Sequence, residues 1–213
     1  MDMVRLTRAE QQRRTHEQLL DAGRKVFLRR GYLAATVEEI AADAGYTRGA
    51  LYKHFDGKEG LWLAIVSGHA EAHVQWLGES LARAGTRDEL VAALFPAGLL
   101  DEDAARWSAA AAEVLAATAQ QPETAALVAA VQRRHDEQVV ALLTTHCERL
   151  RVRPAMPPHQ AVVMLGALGI GLALRDTVVP SADAAAILTH VLDMLFPPPA
   201  PADSGETGGR TGR

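Results

Sequence analysis

The segment between residues 36 and 55 constrains the fold most, because two short helical patterns follow each other there with only a tight turn between them. Thr36 stands three residues before Glu39, which is the spacing of a capping box. In that motif the threonine hydroxyl accepts a backbone N–H and the glutamate reaches back to the Thr36 N–H. Gly45 ends this first short helix, and Thr47 caps a second one that continues to Phe55. Two capped helices this close together predict a helix-turn-helix unit.

Longer helical patterns lie on both sides of this unit. Apolar residues between Arg8 and Arg30 recur at helical spacing, and Gly31 follows where a left-handed cap would end the helix. On the other side, residues 56–59 have the pattern of a cap that opens a long fourth helix, from about Lys58 to Ala84. Alanine is abundant throughout the chain, and it loses no side-chain entropy on entering a helix. We therefore predict an all-α fold in which a three-helix unit precedes a longer helical body.

The second short helix carries polar side chains that are suited to contacts with DNA. Leu51 and Phe55, four residues apart, face the core and leave the opposite strip to solvent. Arg48 offers a donor fork that fits guanine O6 and N7, and Gly49 lets the backbone approach a groove closely. Side chains and helix N-termini that can bind phosphate are found at Thr36, Tyr52, Lys53, His54 and Lys58. An ordinary solvated helix between two caps is the alternative that the spacing leaves open.

The charge distribution is compatible with a DNA-binding unit at the N-terminus. The net charge of the chain is −4, which by itself argues against a simple nucleic-acid binder. Residues 1–60 carry 11 Lys and Arg against 9 Asp and Glu, whereas the remaining residues carry 11 against 17. A mildly basic head on an acidic body suits a small DNA-binding module. Chance variation on a solvated surface explains the same small excess equally well.

Three features of the sequence bear on the compartment. Cys147 is the only cysteine, so no internal disulfide can form. The N-terminus lacks the apolar stretch of a signal peptide, and the longest apolar run, residues 161–174, is too short to span a bilayer. We therefore predict a cytoplasmic protein without a membrane partner.

The chain resembles the tetracycline-repressor (TetR) family over an ungapped stretch from about Thr15 to Leu61. The resemblance is carried by the run TVEEIAADAGYTRGALYKHF at residues 36–55, and by Lys58, Glu59 and Leu61 after it. It implies a three-helix DNA-binding head with a helix-turn-helix, attached to a helical body that dimerises and binds a ligand. Most members of the family are bacterial repressors that a small molecule releases from DNA.

The resemblance also implies roles for individual residues. The positions that look like phosphate contacts are Thr36, Thr47, Tyr52, His54 and Lys58, and those that look base-facing are Arg48 and Gly49. Tyr46 stands where a small aliphatic residue is usual, and Lys53 stands where an aromatic residue is frequent. Both belong to the predicted DNA surface, so the operator sequence stays open. We predict a homodimeric repressor that binds a palindromic operator in double-stranded DNA.

Beyond Leu61 the resemblance ends, and helical periodicity alone predicts the rest of the chain. Thr86 opens a fifth helix that ends near Pro96, and Asp101 begins a sixth. A seventh runs from Pro122 to about Leu150, an eighth covers about 159–178 and a ninth about 182–196, which makes about nine helices in total. The predicted domains are a DNA-binding domain at 1–57, a ligand-binding and dimerisation domain at 58–197, and a disordered tail at 198–213.

The eighth and ninth helices are apolar enough to predict a dimer interface. Two adjacent helices of this kind are hard to cover within one chain, whereas pairing them with a symmetry mate gives a four-helix bundle. The interface residues that we predict are Gly166, Gly169, Ile170, Leu188, Val191, Leu192 and Leu195. A core formed within a single chain is the alternative.

Polar residues on the apolar faces of the fourth and seventh helices indicate where a small molecule would bind. The ligand-binding residues that we predict are His69, His73, Trp76, Trp107, His135, His146 and Met164. Core histidines bonded to nearby carbonyls, and aromatic side chains that only fill the core, are the alternatives. The spacing of His69 and His73 would suit a metal, but no cysteine or clear carboxylate ligand accompanies them. We therefore predict neither a metal nor a cofactor.

The sequence contains none of the short catalytic motifs that we sought. It has no Gly-rich phosphate loop, no His-Glu-x-x-His and no Gly-x-Ser-x-Gly, and the adjacent His146 and Cys147 would point about 100° apart on a helix. We predict a regulator rather than an enzyme, with the fourth helix as the lever that transmits ligand binding to the DNA-binding head. A DNA-binding protein without a small ligand is the alternative. The effector, the genes controlled and the choice between repression and activation stay open.

Overall fold

The computed structural model describes residues 7–94, 102–118, 121–179 and 183–198, and the regular structure in these ranges is helical throughout. The helices in chain order are α1 (Arg8–Ala34), α2 (Val37–Asp43), α3 (Arg48–Phe55), α4 (Lys58–Arg83), α5 (Arg87–Leu94), α6 (Glu102–Thr118), α7 (Pro122–Leu150), α8 (Pro158–Asp176) and α9 (Ala184–Leu195). Among these described helices, none is long and apolar enough to cross a membrane. The predicted all-α fold with an N-terminal helix-turn-helix is confirmed.

Some sequence predictions fall on residues that the structure does not describe. The end of the fifth helix near Pro96, the start of the sixth at Asp101 and the start of the ninth at about residue 182 lie outside the described ranges. The tail predicted at 198–213 lies outside them from residue 199 onward.

Side-chain caps begin two of the helices as full capping boxes. Before α1, the Thr7 hydroxyl accepts the Glu10 N–H, and the Glu10 carboxylate accepts the Thr7 N–H. The same reciprocal bonds join Thr86 and Glu89 at the start of α5, each 3.2 Å long. Each pair satisfies two backbone donors that a helix start would otherwise leave unbonded.

Two predicted caps differ from the structure. The Thr36 hydroxyl accepts the Glu39 N–H at 3.1 Å, but the Glu39 carboxylate is bound by Arg29 and Arg30 at 3.1 and 3.2 Å. These two bonds lower the pKa of Glu39 and tie α2 to α1 in place of the predicted capping box. Residues 56–59 form no side-chain cap either: Asp56, at φ 57°, ends α3, and α4 starts without a side-chain bond to its first turn.

Buried side chains form two clusters that share α4. The first joins α1, α2, α3, the first half of α4 and α6, and its largest members include Leu19, Phe27, Ile40, Leu51, Leu61 and Trp62. The second joins the second half of α4 to α5, α7, α8 and α9, through Leu77, Leu81, Leu90, Leu143, Leu192 and Phe196. Because α4 belongs to both clusters, the helix-turn-helix head and the body are connected by one continuous helix. The helix is 26 residues long, about 40 Å at 1.5 Å per residue.

Candidate DNA-binding surface and internal cavity

The helix-turn-helix is held by buried apolar side chains below and by backbone bonds at the turn. Leu51 and Phe55 of α3 are buried in the first cluster. Gly45 takes φ 74°, a left-handed conformation that glycine adopts without strain, and its N–H donates to the Ala42 carbonyl. The Thr47 hydroxyl accepts the Ala50 N–H at 3.4 Å and so begins α3 directly after the turn. This geometry fixes which strip of α3 faces solvent.

The exposed strip of α3 presents a cation, an aromatic ring and an open backbone. The Arg48 side chain is 62% exposed, pairs with Glu38 of α2 at 2.9 Å and lies 5.3 Å from the centre of the Tyr52 ring. Lys53 is exposed next to it, and nothing crowds the backbone at Gly49. The guanidinium is therefore positioned on the outer face of α3, but it must leave Glu38 before it can bind a base.

Tyr46 and His54 both contact side chains of α1. The Tyr46 hydroxyl donates to the Gln18 side chain at 2.6 Å, and its ring packs on the first cluster. His54 is half-buried beside His16, and burial lowers its pKa, followed by the nearby His16 and Lys53 charges. Both residues thus brace the helix-turn-helix against α1, a role that the sequence prediction did not include.

Lys58 differs most from its predicted role as a phosphate contact. Its ammonium donates to the carbonyls of Tyr32 and Ala35, both at 3.1 Å, and lies 4.6 Å from the centre of the Tyr32 ring. The side chain is half-buried at the first turn of α4. Two of its three donors are therefore used inside the protein, where they hold the bend between α1 and α2. The sequence prediction did not include this internal role.

The same bend is also held from α6. The sequence predicted that Gly31 ends α1, but in the structure it interrupts the helix with φ 76° and α1 continues to Ala34. The Leu33 N–H donates to the Glu113 carboxylate at 2.9 Å. A Cβ at Gly31 would approach the Glu113 oxygens to 2.7 Å, so the absent side chain makes room for the carboxylate. Glu59 of α4 accepts the Tyr32 hydroxyl at 3.2 Å. Two helices of the body thus bind the segment that leads into the helix-turn-helix.

A cavity of about 740 Å³ lies in the body between α4, α6, α7 and α8. Five of the predicted ligand residues line it, namely His69, His73, Trp76, Trp107 and His135. Its other lining residues include Arg24, Leu28, Ser108, Gln132, Asp136 and Leu165. The sequence analysis missed Gln132 and Asp136, although they lie next to His135 on the same helix and are spaced four residues apart. The position and lining of the cavity make it the candidate ligand site.

Two predicted ligand residues lie elsewhere. His146 accepts a bond from Arg149 at 3.2 Å, and the same guanidinium donates to the carbonyls of Leu81 and Ala84 at the end of α4. Met164 packs against the second cluster. Neither residue is among those that line the cavity described above.

One polar chain of contacts borders the cavity. His73 Nδ1 and His135 Nε2 are 2.9 Å apart, and His135 Nδ1 lies 3.5 Å from an oxygen of Asp136. Gln132 donates to the same oxygen at 2.8 Å. Burial, followed by the neighbouring His135 and His69, lowers the pKa of His73 to about 4. At neutral pH the His73 ring is therefore uncharged.

Aromatic contacts connect the cavity wall to the core of the head. Trp107, which lines the cavity, stacks on Trp62 with ring centres 4.8 Å apart and planes at 22°. Trp62 in turn meets Phe27 and Tyr32 edge-on, at 5.2 and 5.5 Å. A change in the position of Trp107 must therefore be accommodated by side chains that support the helix-turn-helix.

Three residues of the predicted dimer interface are buried within their own chain. Leu188, Leu192 and Leu195 are at most 3% exposed and pack within the second cluster of their own chain. Gly166, Gly169 and Ile170 of α8 border the cavity, and Val191 is half-buried. The apolar side chains that α8 and α9 leave exposed are Val163, Ile170, Ile187 and Met194. The hydrophobic pattern identified the two helices correctly as apolar, but it does not tell which apolar face the chain covers itself.

The segment that contains the helix-turn-helix is similar in sequence to known bacterial regulators. The family described as bacterial regulatory proteins, tetR family, matches residues 19–65. ArpR of Pseudomonas putida, a probable transcriptional regulator, is 40% identical over 89 residues, which are 41% of this chain and 40% of that protein. TtgR of Pseudomonas putida is 38% identical over 89 residues, 42% of this chain and 40% of that protein. The chain thus matches about 40% of the length of these relatives.

Solved structures extend the likeness of the fold to most of the chain. A regulator assigned to the TetR family from a Rhodococcus species has a TM-score of 0.70 at 22% identity, over 86% of this chain and 99% of that one. SmeT, the repressor of the Stenotrophomonas maltophilia multidrug efflux pump SmeDEF, has a TM-score of 0.59 at 26% identity, over 84% and 87%. Residues 19–65 thus match the tetR family of bacterial regulatory proteins in sequence, and most of the chain shares the fold of solved TetR-family regulators.

Proposed function

We propose that the protein is a homodimeric repressor that binds a palindromic operator and releases it when a small molecule occupies the cavity. One observation carries this proposal: the cavity and the helix-turn-helix share their supporting helices. Trp107 of α6 and His69 of α4 line the cavity, while Trp62 and Ala110 of the same two helices belong to the core of the head. A ligand that prefers one arrangement of α4 and α6 therefore changes the position of the head.

Known relatives support both parts of the proposal. BepR of Brucella suis, 44% identical over 63 residues, is a repressor, as is SmeT. A structure of SmeT with triclosan, at 25% identity and a TM-score of 0.61, was also matched. FasR of Mycolicibacterium smegmatis, 42% identical over 64 residues, is an activator, so activation is the second candidate for the sign of regulation.

The dimer is proposed from the exposed apolar face of α8 and α9. Ile187, Val191 and Met194 recur at a spacing of three and four residues, which places them on one side of α9. Val163 and Ile170, seven residues apart, do the same on α8. A two-fold axis through this face would bury these side chains in a four-helix bundle and would place one α3 on each side. We expect the half-site centres to lie about one helical turn of DNA apart, or a multiple of it.

The DNA-binding part is tested by selecting binding sequences from random DNA and footprinting the best of them. Arg48→Ala should cost about 1–3 kcal/mol on the selected site and reduce the preference for its bases. Arg133→Ala is the matched control, because Arg133 is an exposed arginine of α7 in the body. A footprint without a dyad, or the same loss of affinity in both variants, would refute this assignment. Release of the DNA by small molecules that raise the thermal stability tests the second part, and a DNA-binding protein without an effector would show no such release.

A further inference from the structure

The cavity has aromatic walls and one polar edge. Trp76 lies beside His73 with ring planes at 25°, and Trp107 lies near His69 on another side. The apolar remainder of the wall includes Leu28, Leu77, Leu94, Val139 and Leu165. Such a lining favours a flat apolar molecule, and the polar edge at His73 determines which functional group it carries.

The order of the contacts at this edge sets the direction of its hydrogen bonds. Asp136 is an acceptor, so it favours the tautomer of His135 with the proton on Nδ1, 3.5 Å away. The other nitrogen of His135, Nε2, is then an acceptor, and His73 Nδ1 must donate to it across the 2.9 Å contact. A neutral His73 that donates from Nδ1 carries a lone pair on Nε2. The chain of contacts therefore ends in an acceptor.

This acceptor is open to the cavity. Among the described residues, every fully buried side-chain nitrogen or oxygen has a hydrogen-bond partner. The contact of His73 with His135 uses Nδ1 and leaves Nε2 without a partner. Nε2 of His73 is therefore not fully buried. His73 lines the cavity, and burial together with His135 and His69 keeps its ring neutral. A group that fills the cavity next to this nitrogen has to donate a hydrogen bond to it, because an acceptor would leave two lone pairs facing each other.

The remaining charges at the cavity favour a neutral donor over a cation. Arg24 lines the cavity and contributes to lowering the pKa of His69. The acidic side chains at the wall have partners, since Asp103 lies 3.6 Å from Arg106 and Asp136 accepts from Gln132. A cationic ligand would meet the positive charge of Arg24 without finding an unpaired carboxylate in the described wall.

We propose that the cavity binds a neutral aromatic molecule that carries a hydroxyl or N–H donor, and that His73 Nε2 accepts this donor. The inference rests on the proposed function, since it specifies the effector of the same cavity. His73 is then the residue that determines specificity, and Asp136 acts through His135 as a positioning residue.

The experiment compares probes that share one apolar frame. 4-Phenylphenol carries a donor, 4-methoxybiphenyl replaces it with an acceptor, and biphenyl-4-carboxylate adds a negative charge. Binding is measured by quenching of tryptophan fluorescence, because Trp76 and Trp107 line the cavity. We expect the phenol to bind about five- to tenfold more tightly than the ether, the factor that one neutral hydrogen bond supplies. We expect the carboxylate to bind more weakly than the phenol.

Variants locate this preference at the polar edge. His73→Phe keeps a flat ring without the acceptor and should reduce the ratio of phenol to ether affinity to about one. Asp136→Asn, which no longer fixes the His135 tautomer, should reduce the ratio in the same direction. His146→Phe makes the same exchange outside the cavity and should leave the ratio unchanged. An unchanged ratio in His73→Phe would overturn the role assigned to that residue.

The outcome for the wild-type protein separates this inference from the proposed function. Equal affinity for phenol and ether, or tighter binding of the carboxylate, would overturn the donor assignment and leave the cavity as a site for apolar molecules. If none of the three probes bound or changed the affinity for the selected DNA, the effector cavity itself would be refuted.

Discussion

Replacing Lys58 distinguishes the structural role of this side chain from a phosphate contact. In the structure its ammonium makes two bonds to the carbonyls of Tyr32 and Ala35 and lies over the Tyr32 ring. A hydrogen bond to a charged group contributes about 1.5–3 kcal/mol, and a partly exposed cation–π contact contributes about 0.5–1 kcal/mol. Water can replace part of these contacts at a half-buried site. We therefore expect Lys58→Met, which keeps the apolar stem, to lower the free energy of unfolding by about 2–3 kcal/mol.

The assay measures thermal unfolding and the salt dependence of DNA binding on the same variant. For a chain of this length, a loss of this size lowers Tm by about 5–10 °C. A lost phosphate contact would instead leave Tm unchanged and reduce the slope of log affinity against log salt by about one. Lys53→Met is the matched control, because Lys53 is an exposed lysine of α3. An unchanged Tm together with a reduced slope in Lys58→Met would refute the structural role.

Three further predictions concern the dimer, pH and the link between body and head. Met194→Glu should give a folded monomer in light scattering, because Met194 is 56% exposed in the single chain. Leu188→Glu should instead unfold the protein, because it buries an unpaired charge in the core. A stable dimer of Met194→Glu would show that the interface lies elsewhere. The pKa of His73 is about 4 instead of 6.5, so the stability that its neutral ring contributes is complete above pH 6.5 and is lost as the pH falls toward 4. Between pH 7 and 4.5, the Tm of the wild type should therefore fall further than that of His73→Phe, and equal falls would contradict this. Glu113→Ala should weaken operator binding and reduce the effect of the effector on that binding, because it removes the acceptor of the Leu33 N–H. Glu113→Gln keeps an acceptor for Leu33 and should restore operator binding and the response to the effector. If the two variants behaved equally, the bond between Glu113 and Leu33 would not link the body to the head.

The helices could be predicted from the sequence because their limits depend on neighbouring residues. Gly45 and Thr47 act through local backbone geometry, and each has the predicted effect in the structure, whereas Gly31 interrupts α1 instead of ending it. The roles of Glu39 and Lys58 could not be predicted in the same way. The sequence pattern pairs Glu39 with Thr36 and gives Lys58 no partner within the protein, but in the structure each binds a group that only the tertiary fold brings near.

In the candidate site too, the sequence predicts what depends on local periodicity and not what depends on the tertiary fold. The apolar arcs of α4 and α7 placed His69, His73 and His135 correctly at a cavity, because helical periodicity determines which residues share a face. Periodicity does not determine which of several apolar faces the chain covers. Leu188 consequently lies in the core rather than on the proposed dimer face. His146 of α7 shares a face with Val139 of the cavity wall, but it lies about two turns further along the helix, near the end of α4.

The free energy that would couple the cavity to the DNA-binding head can be compared with the energy of the aromatic contacts that connect them. A ligand that weakens operator binding about 5- to 150-fold must distinguish two states of the protein by about 1–3 kcal/mol. One aromatic pair contributes about 0.5–1.5 kcal/mol beyond its buried area. Trp107 makes such a contact with Trp62, which in turn meets Phe27 and Tyr32 in the core of the head. Repacking one or two of these rings is therefore sufficient for coupling of ordinary strength, and no helix has to unfold.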